Sequence, residues 1–475
     1  MKPIHLLLTG LLMIYSTLLI AQEHRSEQQE HNGTDTSVRS LKSFFSRGKF
    51  FAHARSFVMA TANHGSLTDY AAWSLGAGIG YESAKLKGFQ FAVSGFFISN
   101  IASPDFTRRD PQTNTLSRYE LSLFDIEDPA NKNDLDRLEE LYIKYNYKKS
   151  NITYGKQYLN TPFINQQDGR MRPTMERGVW AELNEIRNVK ITGGWLNGFS
   201  PRSTVNWYSV ANSIGLYSAG VKEDGMPSAF KNNLQSKGVA IASLQWQKKA
   251  HIKIQAWNYL VENIFNTAML QADAELSFSK TANKKLLAGL QLTHQNRLGN
   301  GGNADVSKAY VQPGWQANII SSKLGVRVKA IAVTANYTRI TNDGRFLFPR
   351  EWGRDPFYTF LARERNEGLG NVNAYVLLLQ YLPKKKNWQT SIAAGYYDLP
   401  PVTNFRLNKY GMPSYYHLLT NVQYKFSGAL KGTSVRVIYL YKGNAADHIT
   451  NPKYMINKVN MHHFNLIIDY WFGKE

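Results

Sequence analysis

Residues 459–472 read VNMHHFNLIIDYWF, and the parity of this stretch decides the fold. Phe464, Leu466, Ile468, Tyr470 and Phe472 share one parity, and His463, Asn465 and Asp469 share the other, with Ile467 and Trp471 as apolar exceptions. Successive side chains of a strand point to opposite faces, so this is a strand with one greasy, aromatic face and one mostly polar face. Residues 416–426 repeat it, with Tyr416, Leu418, Val422, Tyr424 and Phe426 against His417, Asn421, Gln423 and Lys425. In a soluble sandwich the apolar parity would cover a protein core. Here the aromatic ends and the polar opposite face suit lipid outside and a wet lumen inside.

Working outward, the same alternation places strands near 49–61, 69–83, 86–99, 138–149, 151–158, 178–184, 188–198, 235–247, 250–261, 264–279, 285–297, 316–328, 330–341, 372–382, 388–397, 413–426, 433–442 and 458–472. Every second connection is short: 84–85, 150, 185–187, 248–249, around 282–283, 329, 383–387 and 427–432. The others include 100–137, 199–234 and 342–371, longer than a compact soluble domain normally tolerates without structure of their own. Tight periplasmic turns alternating with long outer loops are the signature of outer-membrane barrels. The expected fold is therefore all-β, a transmembrane antiparallel barrel of about eighteen strands.

At the amino end, Lys2, an apolar run over 4–20 and then Ala21-Gln22 have the form of a secretory signal, 1–21, with Leu19 larger than the usual small residue near the cut. Residues 22–47 are rich in Gln, Glu, His, Ser and Thr and read as a flexible periplasmic tail, leaving 48–475 as one barrel domain. No other stretch approaches the roughly 20 apolar residues of a spanning helix, which excludes a helical membrane bundle. The chain has no cysteine, so disulfides, thiolate metal sites and cysteine nucleophiles are out.

The formal charge is +21, from 56 basic and 35 acidic residues. Such a balance usually raises nucleic-acid binding first. Here the bases are spread along strands rather than gathered in an arm or helix, so no nucleic-acid partner is expected. The loops do not carry the excess either: 100–137 holds eight acids against five bases, and 342–371 holds five of each. The excess belongs largely to the barrel and its other connections. Arg55, Lys144, Lys190, Lys253, Arg297, Arg327, Lys425 and Arg436 all fall on the parity assigned to the lumen. A charge on the lipid face would cost about 2–4 kcal/mol at mid-membrane, whereas a water channel lined with cations concentrates anions. The competing use of each cation is to pair with an inward carboxylate such as Glu140 or Asp469, or with a lipid phosphate at the rim.

Two loops stand out. Residues 155–178, GKQYLNTPFINQQDGRMRPTMERG, are punctuated by Thr161-Pro162, Asp168-Gly169 and Arg172-Pro173, a loop stiff enough to fold into the pore that presents Arg170, Arg172 and Arg177. Residues 342–371 include FLFPREWGRDPFYTFLARERNEGLG, mixing aromatics such as Tyr358 with Arg350, Arg354, Arg363 and Arg365. The charges of this loop balance, so a salt-bridged loop folded on itself competes with a constriction whose arginines clamp a carboxylate.

These motifs, with PFYTFLARERNEGLGNVNAY over 356–375 and the closing FNLIIDYWF over 464–472, resemble the outer-membrane porin D family of substrate-specific carboxylate channels, and the resemblance spans essentially the whole mature chain. It implies a monomeric eighteen-stranded barrel, a pore narrowed by the third and seventh outer loops, and a wall ladder of basic residues. Arg55, Arg170 and Arg436 look like ladder positions, while Asn465 and Ile438 stand where family members carry further basic residues, which implies a thinner ladder on that side. The chain also runs past the terminal aromatic Phe472 as Gly473-Lys474-Glu475, unlike most such barrels. The implied partners are small carboxylate-bearing solutes, outer-membrane lipids and lipopolysaccharide, and the barrel-assembly machinery, with no cofactor.

The expected function is passive, selective uptake of small anionic or zwitterionic nutrients. The alternative is a surface-binding or adhesive barrel without transport, a reading that leaves inward arginines without a purpose. A lipid-acting barrel enzyme needs a Ser or acid beside an outward His; His294 and His462 lie near that face, but no serine nucleophile motif accompanies them, so no catalytic residue is expected. His462-His463 is no metal motif, because adjacent strand residues face opposite ways, and no metal is expected. An energy-coupled receptor is disfavoured, since only a short polar tail precedes the first strand.

Overall fold

The computed structural model describes residues 37–167, 169–248, 251–278, 283–385, 387–447 and 449–473. Among them, eighteen long strands run β1 (Lys49–Ala62), β2 (Tyr70–Glu82), β3 (Phe89–Ala102), β4 (Arg137–Tyr147), β5 (Ser150–Gln157), β6 (Met175–Leu183), β7 (Val189–Ser200), β8 (Val239–Lys248), β9 (Ile252–Val261), β10 (Phe265–Ser277), β11 (Lys284–Arg297), β12 (Gln316–Val328), β13 (Ile331–Ile340), β14 (Val372–Tyr381), β15 (Trp388–Asp398), β16 (Tyr415–Lys425), β17 (Thr433–Asn444) and β18 (Met461–Phe472). Each pairs antiparallel with the next, and β18 returns to pair with β1 from Ala52↔Phe472 to Ala62↔His462. The closed eighteen-stranded barrel read from the alternation is thus observed. Closure is what a bilayer demands, since lipid offers no partner to an unpaired strand edge.

The connections alternate as expected. At one end 148–149 and 329–330 are tight turns; at the other lie the long loops L2 (103–136), L3 (158–174), L4 (201–238), L7 (341–371) and L8 (399–414). L3 is shorter than the 155–178 stretch, because its ends continue β5 and begin β6.

The outward face carries two aromatic belts, as interfacial girdles should. Near the loop end, Tyr337, Tyr375, Tyr396 and Tyr416 are direct cross-strand partners with ring centroids 5.1, 6.5 and 5.1 Å apart in sequence. His462 joins this belt, bonded at 2.8 Å to the Tyr439 hydroxyl, and His294 meets Asn318 at 2.8 Å on the same outer face. Near the turn end, Phe50 contacts Tyr81 at 4.8 Å, Phe89 contacts Tyr145 at 4.9 Å, and Trp388 contacts Tyr424 at 5.7 Å.

Of the stretch expected as a tail, residues 37–47 are described, and they are not featureless. Ser37–Val38 pairs in parallel with Lys85–Leu86, and Leu41–Ser46 forms a helix, α1, whose N-cap Ser40 accepts from the Ser43 amide at 3.2 Å. The signal segment and Asp168 lie outside the described residues.

Candidate solute path and constriction

L3 and L7 fold into the barrel because their rings find each other there. Phe163 of L3, 1% exposed, stacks on Phe348 of L7 at 4.9 Å and meets Tyr259 of β9 at 5.5 Å. Trp352 of L7 is fully buried, stacks on Phe199 of β7 at 4.5 Å and donates to the Ser213 hydroxyl at 2.8 Å. Burying one such ring stabilises by about 1.5–3 kcal/mol, so this cluster holds the loops in by something on the order of 10 kcal/mol. The backbones are then laced together. The Asn165 amide donates to the Trp352 carbonyl at 3.0 Å, its side chain bonds the Arg354 backbone twice at 3.1 Å, and Gln167 donates to the Arg350 carbonyl at 2.9 Å. Gly353 is packed so closely that a Cβ there would collide with the Phe163 carbonyl.

At the tip of L3, arginines from three loops converge. A Cβ on Gly169 would lie 3.4 Å from the Arg202 guanidinium of L4 and 3.6 Å from that of Arg363 of L7, and Arg170 follows directly in the chain. Arg202 donates to the Gln167 carbonyl at 3.1 Å, and Arg170 to the Gly169 carbonyl at 2.6 Å and to the Ser122 hydroxyl. Arg363 reaches the wall, donating to His463 Nε2 at 3.0 Å and to Asn465 Oδ1 at 2.8 Å. Among the described residues, none of the three forms an ion pair with a carboxylate; their partners are neutral. Burial, with Arg202 adding its like charge, pushes the Arg363 guanidinium down to about 9, and burial with Arg363 and Arg202 holds Arg170 well below its usual range. Clustered, desolvated like charges of this kind favour an anion between them.

The donor order sets the histidine tautomer. Because Arg363 donates to Nε2, His463 Nδ1 carries the proton and donates to Thr61 Oγ1 at 2.8 Å, and the Thr61 hydroxyl passes on to the Glu120 carboxylate of L2, which also accepts from Ser117 at 2.9 Å.

The basic wall is less free than its parity indicates. Arg55 and Asp469 are direct partners across the β1–β18 seam, with Nε 2.6 Å from Oδ1, and Arg55 also donates to the Arg170 carbonyl at 2.8 Å. Arg327 has one nitrogen 2.9 and 3.0 Å from the two oxygens of Glu275, Lys190 is 2.9 Å from Glu182, and Lys253 stands opposite Asp273, which Lys323 approaches at 2.9 Å. The β6–β12 sector is therefore an interleaved lattice of pairs, and pairing with inward carboxylates is the observed use of these bases. Arg436 donates to Asn421 at 2.7 Å. Lys144 lies 5.4 Å from the Tyr142 ring, and Lys425 and Arg297, each the last residue of its strand, sit half-exposed at opposite ends of the barrel.

The loop residues divide similarly. Arg172 is bound to both oxygens of Glu139 and lies 3.7 Å over the Phe96 ring, pinning L3 to the wall. Arg350 donates to the Ser218 carbonyl at 2.7 Å and sits 3.3 Å from Glu367, and Arg365 donates to the Gly353 carbonyl at 2.7 Å, so both tie L7 down. Tyr358 donates to Asp273 at 2.8 Å, and Arg354 is exposed over Phe360. Arg177 is a correction: it belongs to β6, and a bulge beside Gly178 leaves its guanidinium on Asn197 at 3.1 Å, away from the loop tip. The ladder expected to be thin at Asn465 is another matter, since Arg363 delivers a guanidinium onto Asn465 from L7. Arg202 and Lys442 were not singled out by sequence reasoning, and His463 was given inward parity but no role at the site. Lys442, which donates to the Arg363 carbonyl at 2.7 Å, shares its parity with Arg436 and was findable by extending that alternation; Arg202 follows a strand end and carries no periodic signal.

The family model for the outer membrane porins of the OprD family matches residues 113–366. No curated protein matches the sequence. Among solved structures, Pseudomonas aeruginosa OccK9 (OpdG) superposes with a TM-score of 0.69 at 13% identity, over 90% of this chain and 99% of that one. Pseudomonas aeruginosa OpdK, solved with vanillate, gives 0.68 at 12% identity over 90% and 99%, and Acinetobacter baumannii OccAB3 gives 0.67 at 16% over 90% and 100%.

Proposed function

Because the chain belongs to the OprD family of outer membrane porins, we propose that it is a passive channel taking up small carboxylate-bearing solutes, anionic or zwitterionic, with the Arg170, Arg202 and Arg363 cluster as the selective point. The observation that carries this reading is the convergence of three guanidinium groups on Gly169, none of them bonded to a carboxylate among the described residues. A solute carboxylate entering from the loop side exchanges its hydration shell for charge-assisted donors there. It then moves on past Arg55 and Arg436 under its concentration gradient. No energy input is required, but binding must stay weak enough for release. That a protein of this fold was solved with vanillate, an aromatic carboxylate, agrees with the chemistry.

In the same reading, residues 1–21 direct export and are removed, and the partners are the solutes, the surrounding lipids and lipopolysaccharide, and the assembly machinery. The test is the reversal potential of the purified protein in planar bilayers under a KCl gradient, followed by titration with benzoate and glutarate. Anion preference and saturable block are expected; cation preference, or current that carboxylates do not reduce, would sink the proposal.

A further inference from the structure

The molecule has a second charged feature, on the outside of the barrel at the turn end. Helix α1 carries Leu41, Phe44 and Phe45 on one face, at the i, i+3, i+4 spacing. Phe44 lies 5.7 Å and Phe45 5.9 Å from the ring of Phe91, and Tyr81 lies 5.6 Å from the same ring. Phe91 and Tyr81 are both on the lipid-facing parity, since their neighbours Gly80 and Ala92 are buried on the inward one. The helix is fastened there by the Tyr81 hydroxyl on the Phe45 carbonyl at 2.6 Å, by the Ala84 amide on the Phe44 carbonyl at 3.1 Å, and by the pairing of Ser37–Val38 with Lys85–Leu86. It therefore lies against the outer wall at the level of the turn-end aromatic belt, where Leu41 is 66%, Phe45 56%, Phe50 73% and Phe89 53% exposed. Around these apolar groups stand Arg39, Lys42, Arg47 and Lys87, all exposed, and the partly buried Lys85; neither 37–50 nor 83–88 contains an acid, and Lys49, of inward parity, stands opposite Glu82 instead.

We infer that α1 and the β2–β3 turn form a lipid-binding foot for an anionic phospholipid of the inner leaflet, such as phosphatidylglycerol. Apolar and aromatic side chains on the lipid-facing side, ringed by bases that form no ion pair among the described residues, are the composition of an interfacial anchor that takes a phosphate headgroup and its acyl chains together. A polyanion without acyl chains, such as peptidoglycan, uses the charges but leaves Leu41, Phe45, Phe50 and Phe89 without a partner, so lipid is the occupant the patch fits.

The experiment is native mass spectrometry of the delipidated full-length mature protein titrated with phosphatidylglycerol or phosphatidylethanolamine, beside the variant Arg39→Gln, Lys42→Gln, Arg47→Gln, Lys87→Gln. None of these four residues lines the channel, and heat-modifiable gel mobility reports whether the variant barrel is folded. Each base near an anionic headgroup adds up to about fivefold, so the wild type should prefer phosphatidylglycerol by at least about tenfold and the variant by less than about twofold. A wild type without that preference, or a preference that survives in the folded variant, overturns the inference. So does co-sedimentation with purified sacculi that the substitutions abolish while lipid retention stays unchanged. Should the variant not fold, Phe45→Ser alone is read instead: lipid retention that drops severalfold supports the foot, and unchanged retention overturns it.

Discussion

Replacing Arg363 by Gln is the sharpest perturbation of the proposed selective point. The guanidinium stands within reach of Arg202 and Arg170 and is held by His463 and Asn465 at 3.0 and 2.8 Å. A hydrogen bond to a charged group contributes about 1.5–3 kcal/mol, and about 1.4 kcal/mol is a factor of ten in affinity. Arg170 and Arg202 remain to hold the anion, so the loss should fall near the lower end, a roughly tenfold rise in the carboxylate concentration that half-blocks the current. The assay is current block in planar bilayers, with Arg327→Gln as the comparison. Arg327 is closed on both oxygens of Glu275, which Lys285 also approaches at 3.1 Å, and its removal should shift the half-blocking concentration by less than about twofold. The reasoning is refuted if both variants fold and Arg363→Gln blocks like the wild type, or if Arg327→Gln has the larger effect.

Three further outcomes follow from L7. Burial raises the Glu364 carboxyl to about 7, beside Lys442 Nζ at 3.5 Å; it is neutral in the folded channel below that pH and ionised above it. Anion preference should therefore rise as pH falls from 8 to 6, and Glu364→Gln should remove the step. The folded state holds this proton more tightly than the unfolded one, so the group's contribution to stability declines as pH rises from about 4.5 to about 7; thermal melts at pH 5 and pH 8 should show this as a difference between wild type and Glu364→Gln, and no such difference contradicts the assignment. Gly353→Ala wedges L7 away from the Phe163 carbonyl and should raise single-channel conductance while weakening carboxylate block; an unchanged conductance in a folded barrel contradicts the role given to this contact.

The barrel was legible because its physics is local. Parity within β16 and β18, and the alternation of two-residue turns with long loops, carry the strand count without knowledge of which strand meets which. The seam pair Arg55 and Asp469 was half legible: both residues have inward parity, but their meeting depends on the β1–β18 register, set by residues more than 400 positions apart. The constriction was legible as composition only. Nothing in the spacing of L7 distinguishes Arg363, which reaches the wall at Asn465, from Arg365, which ties L7 to L3 at the Gln167 side chain, because that division follows from how Phe163, Phe348 and Trp352 pack. Arg177 misled because a β-bulge beside Gly178 sits where the alternation would extend the loop. Asn465, expected as a gap, was filled from another part of the chain, a substitution between strand and loop that linear inspection does not reveal.

The seam between first and last strands has a consequence in time. Thr61 and Arg55 belong to β1, while His463, Asn465 and Asp469 belong to β18, so Arg363 finds its wall partners only after the cylinder has shut. Closing with the strands slipped by two residues keeps every side chain on its proper face, yet displaces those partners by about 7 Å along the strand. A chain inserted with that error would look like a barrel by every bulk criterion and still lack the proposed selective point. If the proposed selective point holds, solute discrimination is the most stringent proofreading signal on whether the barrel closed in the right register.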